Sequence, residues 1–391
     1  MTRNVVITGF GIFTAFGFGA EPLRTGVFGG NPAFAPVTRF DTACFRARHA
    51  ATHRWASGDP DATPRQISVF LECARAALAM AGPPDPAAIP VLIGTQGDYT
   101  AVTDFWSTPE AARGTDPDAG AAGLAAWLPR RLGTELGLGE PRTAFINACV
   151  ASTNAIIHGA RLVAAGRADA VLCGGAYLVE RELFAKFDSG AAFAVDGRIR
   201  PFSRDRSGLL LGDGVAALVI ESEQSAVARG AEPLVRLAGW GMAADAYHVV
   251  RPDPAGSGMA LAMNRALRRA GVRPERIGYV NAHGTGTAAN DSAEATALSR
   301  VFGPGAGGVP VSSTKSTTGH LLEAAGAVEA VITMVALRTG LVPPTAGFTE
   351  PDPNCELDPV ANQARHTSPR LAVSLNASFG GVNAALVMER L

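Results

Sequence analysis

Two segments of this chain are each written twice, and that duplication limits the possible fold more than any other feature of its 391 residues. Val5-Val6-Ile7-Thr8-Gly9-Phe10-Gly11 echoes Val235-Arg236-Leu237-Ala238-Gly239-Trp240-Gly241, and Ala216-Ala217-Leu218-Val219-Ile220-Glu221 nearly repeats as Ala384-Ala385-Leu386-Val387-Met388-Glu389. Each half therefore opens and closes on a matching apolar strand, the mark of an internally repeated unit. Between these strands, short apolar runs such as Ala170–Leu172 and Ile277–Asn281 alternate with alanine-rich stretches of helical length such as Gln66–Ala81 and Leu321–Leu337, which predicts α/β layers. The division falls near Gly230–Pro233, where there is no Ser/Gly-rich linker, so two halves, 1–232 and 233–391, are expected to be fused rather than tethered. The first half is longer by material at Phe40–Pro64, Asp98–Leu138 and Val179–Arg206, read as lids, pocket walls or subunit contacts.

Hydrophobic residues make up 47% of the chain and charged ones 18%, which supplies a large core and argues against disorder. A formal net charge of -1 gives no global pull toward nucleic acid or an anionic membrane, and neither is expected as a partner; an acidic protein would need a local basic patch. The five cysteines, Cys44, Cys73, Cys149, Cys173 and Cys355, are scattered without CxxC pairs, which points to a reducing cytoplasm, and no metal site is expected. The first residues carry no signal-peptide core, and no run approaches the length of a membrane span.

The chemistry gathers in three places. Cys149 sits where the strand-like run Ile146-Asn147-Ala148 feeds a helix predicted over Ala151–Gly166. Free N–H groups and the helix dipole at such a junction favour thiolate over thiol, and so a nucleophile. Far downstream lie Asn281-Ala282-His283-Gly284-Thr285-Gly286-Thr287 and Ser313-Thr314-Lys315-Ser316-Thr317-Thr318-Gly319-His320. One Cys, two His and one Lys in Gly- and Thr-rich settings are the pieces of an acyl-transfer site. Lys315 follows the apolar Val309–Val311 and is expected to point inward, which requires a counter-charge. Cys73 and Cys173 fit apolar core patterns, and His49, His53, His158, His248 and His366 carry no motif, so structural roles are assigned to all of them.

With these segments in order, and with Asn290-Asp291, Glu294 and Phe379-Gly380-Gly381 beside them, the chain resembles the β-ketoacyl-acyl-carrier-protein synthases, the elongating ketosynthases of fatty-acid and polyketide assembly. The resemblance implies the thiolase fold, five αβαβα layers built from two βαβαβαββ halves. It implies that Cys149 accepts an acyl chain from a phosphopantetheine arm of an acyl carrier protein, with no other cofactor. His283 and His320 would stabilise the enolate left by decarboxylation of a malonyl thioester, Glu329 would hold Lys315, and Asp291 and Glu294 would brace the His283 loop. Thr285 and Thr287 would bind pantetheine amides. Phe379 would be a gate hinged on Gly380 and Gly381, its N–H joining that of Cys149 in an oxyanion hole.

Three departures from the family pattern stand out: Val150-Ala151-Ser152-Thr153-Asn154 where Ala-Thr-Gly-Thr-His is usual, Asn376-Ala377-Ser378 where Ser-Phe-Gly is expected, and Glu323 where glycine is common. They keep open a ketosynthase-fold enzyme turned to cyclisation or lactone formation, and a non-catalytic subunit like a chain-length factor, although the latter usually lacks the cysteine. A thiolase needs a second cysteine near its C-terminal glycines, and 376–383 has none. The low-charge stretch Ala151–Leu172 is read as a dimer interface, with a second copy or with a chain-length-factor subunit. Arg200, Arg204 and Arg206 are read as a carrier-protein dock.

Overall fold

The G-x-G of the first echo is explained by what lies against it. In the computed structural model, which describes residues 3–55, 65–83, 85–109 and 120–391, a Cβ at Gly9 would lie 2.1 Å from the Ala77 carbonyl oxygen and one at Gly11 1.9 Å from that of Cys73. Helix α1 (Gln66–Ala81) thus presses its backbone onto strand β1 (Val5–Thr14), and its alanines keep the approach close. The second echo is built alike: Cβ atoms at Gly239 and Gly241 would meet the carbonyls of Ala266 and Ala262 at 2.2 and 2.1 Å.

The same order of elements runs twice. After β1 and α1 come β2 (Val91–Gly94), α2 (Trp127–Glu135), β3 (Arg142–Phe145), α3 (Ala151–Ala164), β4 (Ala170–Tyr177) and β5 (Gly214–Ser222). The second run is β6 (Val235–Ala244), α4 (Ser257–Ala270), β7 (Tyr279–Asn281), α5 (Ala288–Phe302), β8 (Pro310–Ser312), α6 (Ala325–Thr339), β9 (Leu371–Ala377) and β10 (Val382–Glu389). Strand order is β3-β2-β4-β5-β1 in one run and β8-β7-β9-β10-β6 in the other, and the runs join where Val6 and Ile7 pair with Arg236 and Val235. In each run the outer strands are parallel and the inner ones antiparallel.

Helices α3 and α6 pack against each other between the two parts of the sheet, while α1 and α4 cover the outer faces, which gives the five αβαβα layers. Helix α6 is buried from Ala325 through Leu337, and a helix apolar all round belongs inside a layered core. Helix α3 is buried except at His158, Arg161 and Leu162. The apolar stretch Ala151–Leu172 is therefore consumed mostly within the chain's own core, and the ground given above for an intersubunit surface does not hold. Strand β3 is half-buried at the sheet edge and ends beside Ile146, which is 67% exposed.

Of the insertions in the first half, 56–64 and 110–119 lie outside the described residues; helices Tyr99–Ser107 and Arg181–Ser189 belong to the remainder. Among the described residues no helix is long and apolar enough to cross a membrane.

Replacing Gly11 by Ala should force β1 and α1 apart and cost at least about 1–3 kcal/mol, the usual range for overpacking. A urea titration that leaves the unfolding midpoint unmoved would contradict this reading of the echo.

Candidate active site

Two matching elbows face each other at the centre of the molecule. β3 ends at Phe145, and Ala148–Val150 form a single 3₁₀ turn before α3 begins. In the second run the turn Leu322–Ala324 precedes α6 in the same way. Each turn opens on a non-glycine residue held at positive φ, Ala148 at 49° and Leu322 at 44°. Such backbone costs about 1–3 kcal/mol and persists where the surroundings impose it. The residue that follows is Cys149 in one elbow and Glu323 in the other, and the two turns pack together.

Cys149 is 6% exposed. Burial first, and Glu323 second, push its thiol up to about 12, against Lys315 and a hydrogen bond from its own backbone N–H. Burial thus works against the resting thiolate expected from the helix end, since desolvation disfavours a sulfur anion. The thiol has an imidazole in reach, since His320 Nε2 lies 3.0 Å from Sγ, the direction of the bond following the ring's tautomer.

Both histidines close the site, with ring centroids 5.3 Å apart and planes at 83°. The His320 backbone donates to the Leu210 carbonyl at 2.7 Å, and its own carbonyl accepts from Gly212 at 3.1 Å, which fixes the ring's base. His283 follows β7 on a loop tied down by carboxylates. Glu294 accepts from the His283 and Gly284 N–H groups at 2.6 and 2.7 Å, and Asp291 from Gly286 and Phe202 at 3.2 and 2.9 Å. Burial, then the Lys315 charge, hold both imidazoles well below the ordinary histidine value. They are neutral at physiological pH, each with one N–H to offer.

Lys315 is fully buried and donates to Glu329 at 2.5 Å. The other Glu329 oxygen accepts from Asn376 at 2.6 Å, and Asn376 in turn accepts from Thr153 of α3 at 2.7 Å. Two of the departing residues thereby have roles: Asn376, through Thr153, carries the ion pair's network into the nucleophile helix, and Ser152 Oγ accepts from Ala327 N at 3.0 Å to bind α3 to α6.

The remaining candidates lie farther out. Phe379 is 48% exposed and stacks on Phe187 at 5.9 Å, with Gly380 and Gly381 at φ 84° and 72° behind it. The Thr285 and Thr287 hydroxyls bond each other at 2.9 Å. The arginine dock is corrected: the Arg206 side chain is 4% exposed and spent on Asp352, Asp291 and backbone carbonyls, and Arg200 on Asp196 and Asp205. Only Arg204 of the three is exposed, 3.4 Å from Glu350. Sequence reasoning passed over Gln96, Tyr177 and Glu180, which gather around Glu323. No motif marks them: Gln96 follows β2, while Tyr177 ends β4 and Glu180 lies just beyond it.

Comparison with known proteins gives the family. Residues 2–226 match the family model of the beta-ketoacyl synthase N-terminal domain, and residues 234–349 that of the C-terminal domain. The chain belongs to the β-ketoacyl synthase family. It is 36% identical over 413 residues to the 3-oxoacyl-[acyl-carrier-protein] synthase 2 of Vibrio cholerae, covering 100% of this chain and 99% of that one. It superposes on a chain of the ishigamide ketosynthase/chain length factor with a TM-score of 0.91 at 33% identity, each chain covered in full. A type II polyketide ketosynthase solved with its acyl-carrier protein gives 0.91 at 25% identity, again with full coverage of both. This β-ketoacyl synthase is accordingly an acyltransferase-type condensing enzyme with the thiolase fold.

Glu323→Gln in the β-ketoacyl synthase removes a carboxylate that opposes the thiolate, so the Cys149 pKa should fall. The pH profile of iodoacetamide alkylation at Cys149 should move to lower pH, and an unmoved profile would contradict the electrostatic role.

Proposed function

We propose that this chain performs decarboxylative Claisen condensation of an acyl group held on Cys149 with a malonyl group on acyl carrier protein, lengthening a fatty-acyl or polyketide chain. The observation that carries the proposal is the Cys149 Sγ–His320 Nε2 contact of 3.0 Å with the second neutral imidazole of His283 beside it. In the first half-reaction the thiol passes its proton to His320 as sulfur attacks the acyl thioester. The pantetheine sulfur leaves and takes a proton, and a new thioester remains on Cys149. In the second, the malonyl thioester loses carbon dioxide, and the electron pair moves into an enolate whose oxygen accepts from the two imidazole N–H groups. The enolate carbon then attacks the acyl carbonyl, and Cys149 leaves as thiolate.

Lys315 helps to hold the imidazoles neutral and Glu329 holds Lys315 in place, and neither takes the acyl chain. Phe379 serves as the gate; its N–H and that of Cys149 form the oxyanion hole, with Gly380 and Gly381 as hinge. Thr285 and Thr287 receive the pantetheine amides in place of their mutual bond. We assign the nucleophile half to 1–232 and the histidine half to 233–391, consistent with the repeated strand order.

The partners in this reading are an acyl carrier protein and a second chain, either a copy or a chain-length-factor subunit. The half-buried edge of β3 beside exposed Ile146 supports a paired subunit there. The five free cysteines favour the cytoplasm. A purely non-catalytic role is disfavoured by the assembled Cys149, His283 and His320.

Cys149→Ala should abolish the acyl adduct seen by intact-protein mass spectrometry. His283→Ala should still form it while release of labelled carbon dioxide from malonyl carrier falls about 10²–10³-fold, the usual effect of losing one such donor. His320→Ala should slow both steps. An acyl adduct on the Cys149→Ala protein would overturn the assignment of the nucleophile.

A further inference from the structure

A second buried ion pair, which the condensation does not use, anchors the strip of backbone that carries His320. The Arg39 and Asp213 side chains are 8% and 0% exposed. Arg39 grips both carboxylate oxygens, one from Nη1 at 2.8 Å and the other from Nη2, and the same carboxylate accepts from the His53 and Val179 N–H groups at 2.8 Å each. Arg39 also donates to the Val179 and His53 carbonyls at 3.3 and 3.2 Å. A planar fork of this kind fixes geometry as well as charge. One side chain thus locks together the segment just after β4, the segment 51–53 and the segment that leads into β5.

Residues 210–213 form the middle strip of a small three-part ladder. On one side the Ala51 N–H donates to the Leu211 carbonyl at 2.9 Å and the Asp213 N–H to the Ala51 carbonyl at 2.8 Å. On the other side the strip holds His320 through the two backbone bonds at Leu210 and Gly212. The packing is tight there, since a Cβ at Gly212 would collide with the Thr318 carbonyl and one at Gly319 would lie 2.7 Å from that of Leu211. The His320 ring itself has little else to orient it. Its Nε2 meets Cys149, and its Nδ1 has no hydrogen-bond partner among the described residues. A catalytic imidazole is ordinarily aimed by a bond to its second nitrogen. Here the aim comes from the backbone strip and the packing around it.

We infer that Arg39 and Asp213 are positioning residues for His320: they fix the strip 210–213, and through it the reach of Nε2 to the Cys149 sulfur. This rests on the reading of His320 as the proton partner of Cys149 given above. A lysine at position 39 would offer a point charge in place of the fork and could not hold both carboxylate oxygens and two carbonyls at once.

The test is a double-mutant cycle read at the sulfur. Arg39→Lys and Asp213→Asn, each made alone and in the His320→Ala enzyme, are treated with iodoacetamide at neutral pH, and alkylation of Cys149 is timed by peptide mass spectrometry. Misplacing a reacting group by about 1 Å costs up to about a hundredfold, so each variant should slow alkylation at least about tenfold in the otherwise wild-type enzyme, and by no more than His320→Ala does. In the His320→Ala enzyme the same substitutions should change the rate by less than about twofold, because a residue that acts through His320 then has nothing to act on. A merely structural role gives equal losses in both backgrounds. Asp213→Asn, which keeps the shape of the side chain, carries the test if Arg39→Lys does not fold.

Equal losses in the two backgrounds, or no loss in the otherwise wild-type enzyme, would overturn the positioning role and leave the reading of His320 standing. Alkylation of Cys149 at least as fast in His320→Ala as in the wild type would overturn the reading of His320 and this inference together.

Discussion

The buried ion pair of Lys315 and Glu329 is the interaction on which the rest of the site depends. Removing two such charges from water costs several kcal/mol each, and the cost is offset only with near-ideal geometry and with the remaining polar atoms bonded. Glu329 meets that condition, taking Lys315 on one oxygen and Asn376 on the other. Through Thr153 the network reaches α3, so one charge pair ties the loop after β8, the central helix α6, the strand β9 and the nucleophile helix. The lysine charge then acts outward. It adds to burial in keeping both histidines neutral, and it is the main charge opposing the desolvation of the Cys149 thiol.

Duplication explains how so much chemistry meets at one point. Two equivalent elbows at the inner ends of α3 and α6 face each other across the central layer, each strained at the same step. The first run contributes the sulfur. The second contributes both imidazoles and the lysine, and places a carboxylate where its counterpart has the thiol. Opposed roles follow from one backbone used twice.

The duplicated strands and their glycines were legible in the sequence, because a strand under a helix backbone can carry no Cβ there and says so in its letters. Gln66–Ala81 was read at its observed ends, whereas Leu321–Leu337 hid the 3₁₀ elbow at Leu322–Ala324, for periodicity does not register a single residue at positive φ. The upward shift of the Cys149 thiol is not legible in the sequence, because a helix end is visible there and the depth of burial is not. The burial of Arg206 is hidden for the same reason: its partners Asp291 and Asp352 lie 85 and 146 positions away. The polar set around Glu323 comes from three separate segments, and only the fold brings them together.

The central claim is that both imidazoles are neutral at rest and are kept so by burial and Lys315. ¹⁵N NMR of the histidine-labelled enzyme, assigned through His283→Ala and His320→Ala, measures it directly. Both rings should show one pyrrole-type and one pyridine-type nitrogen throughout pH 6 to 8, and in Lys315→Met their titration should move upward. Protonation of either ring in the wild-type enzyme with a midpoint at or above 6.5, the ordinary histidine value, would contradict the account.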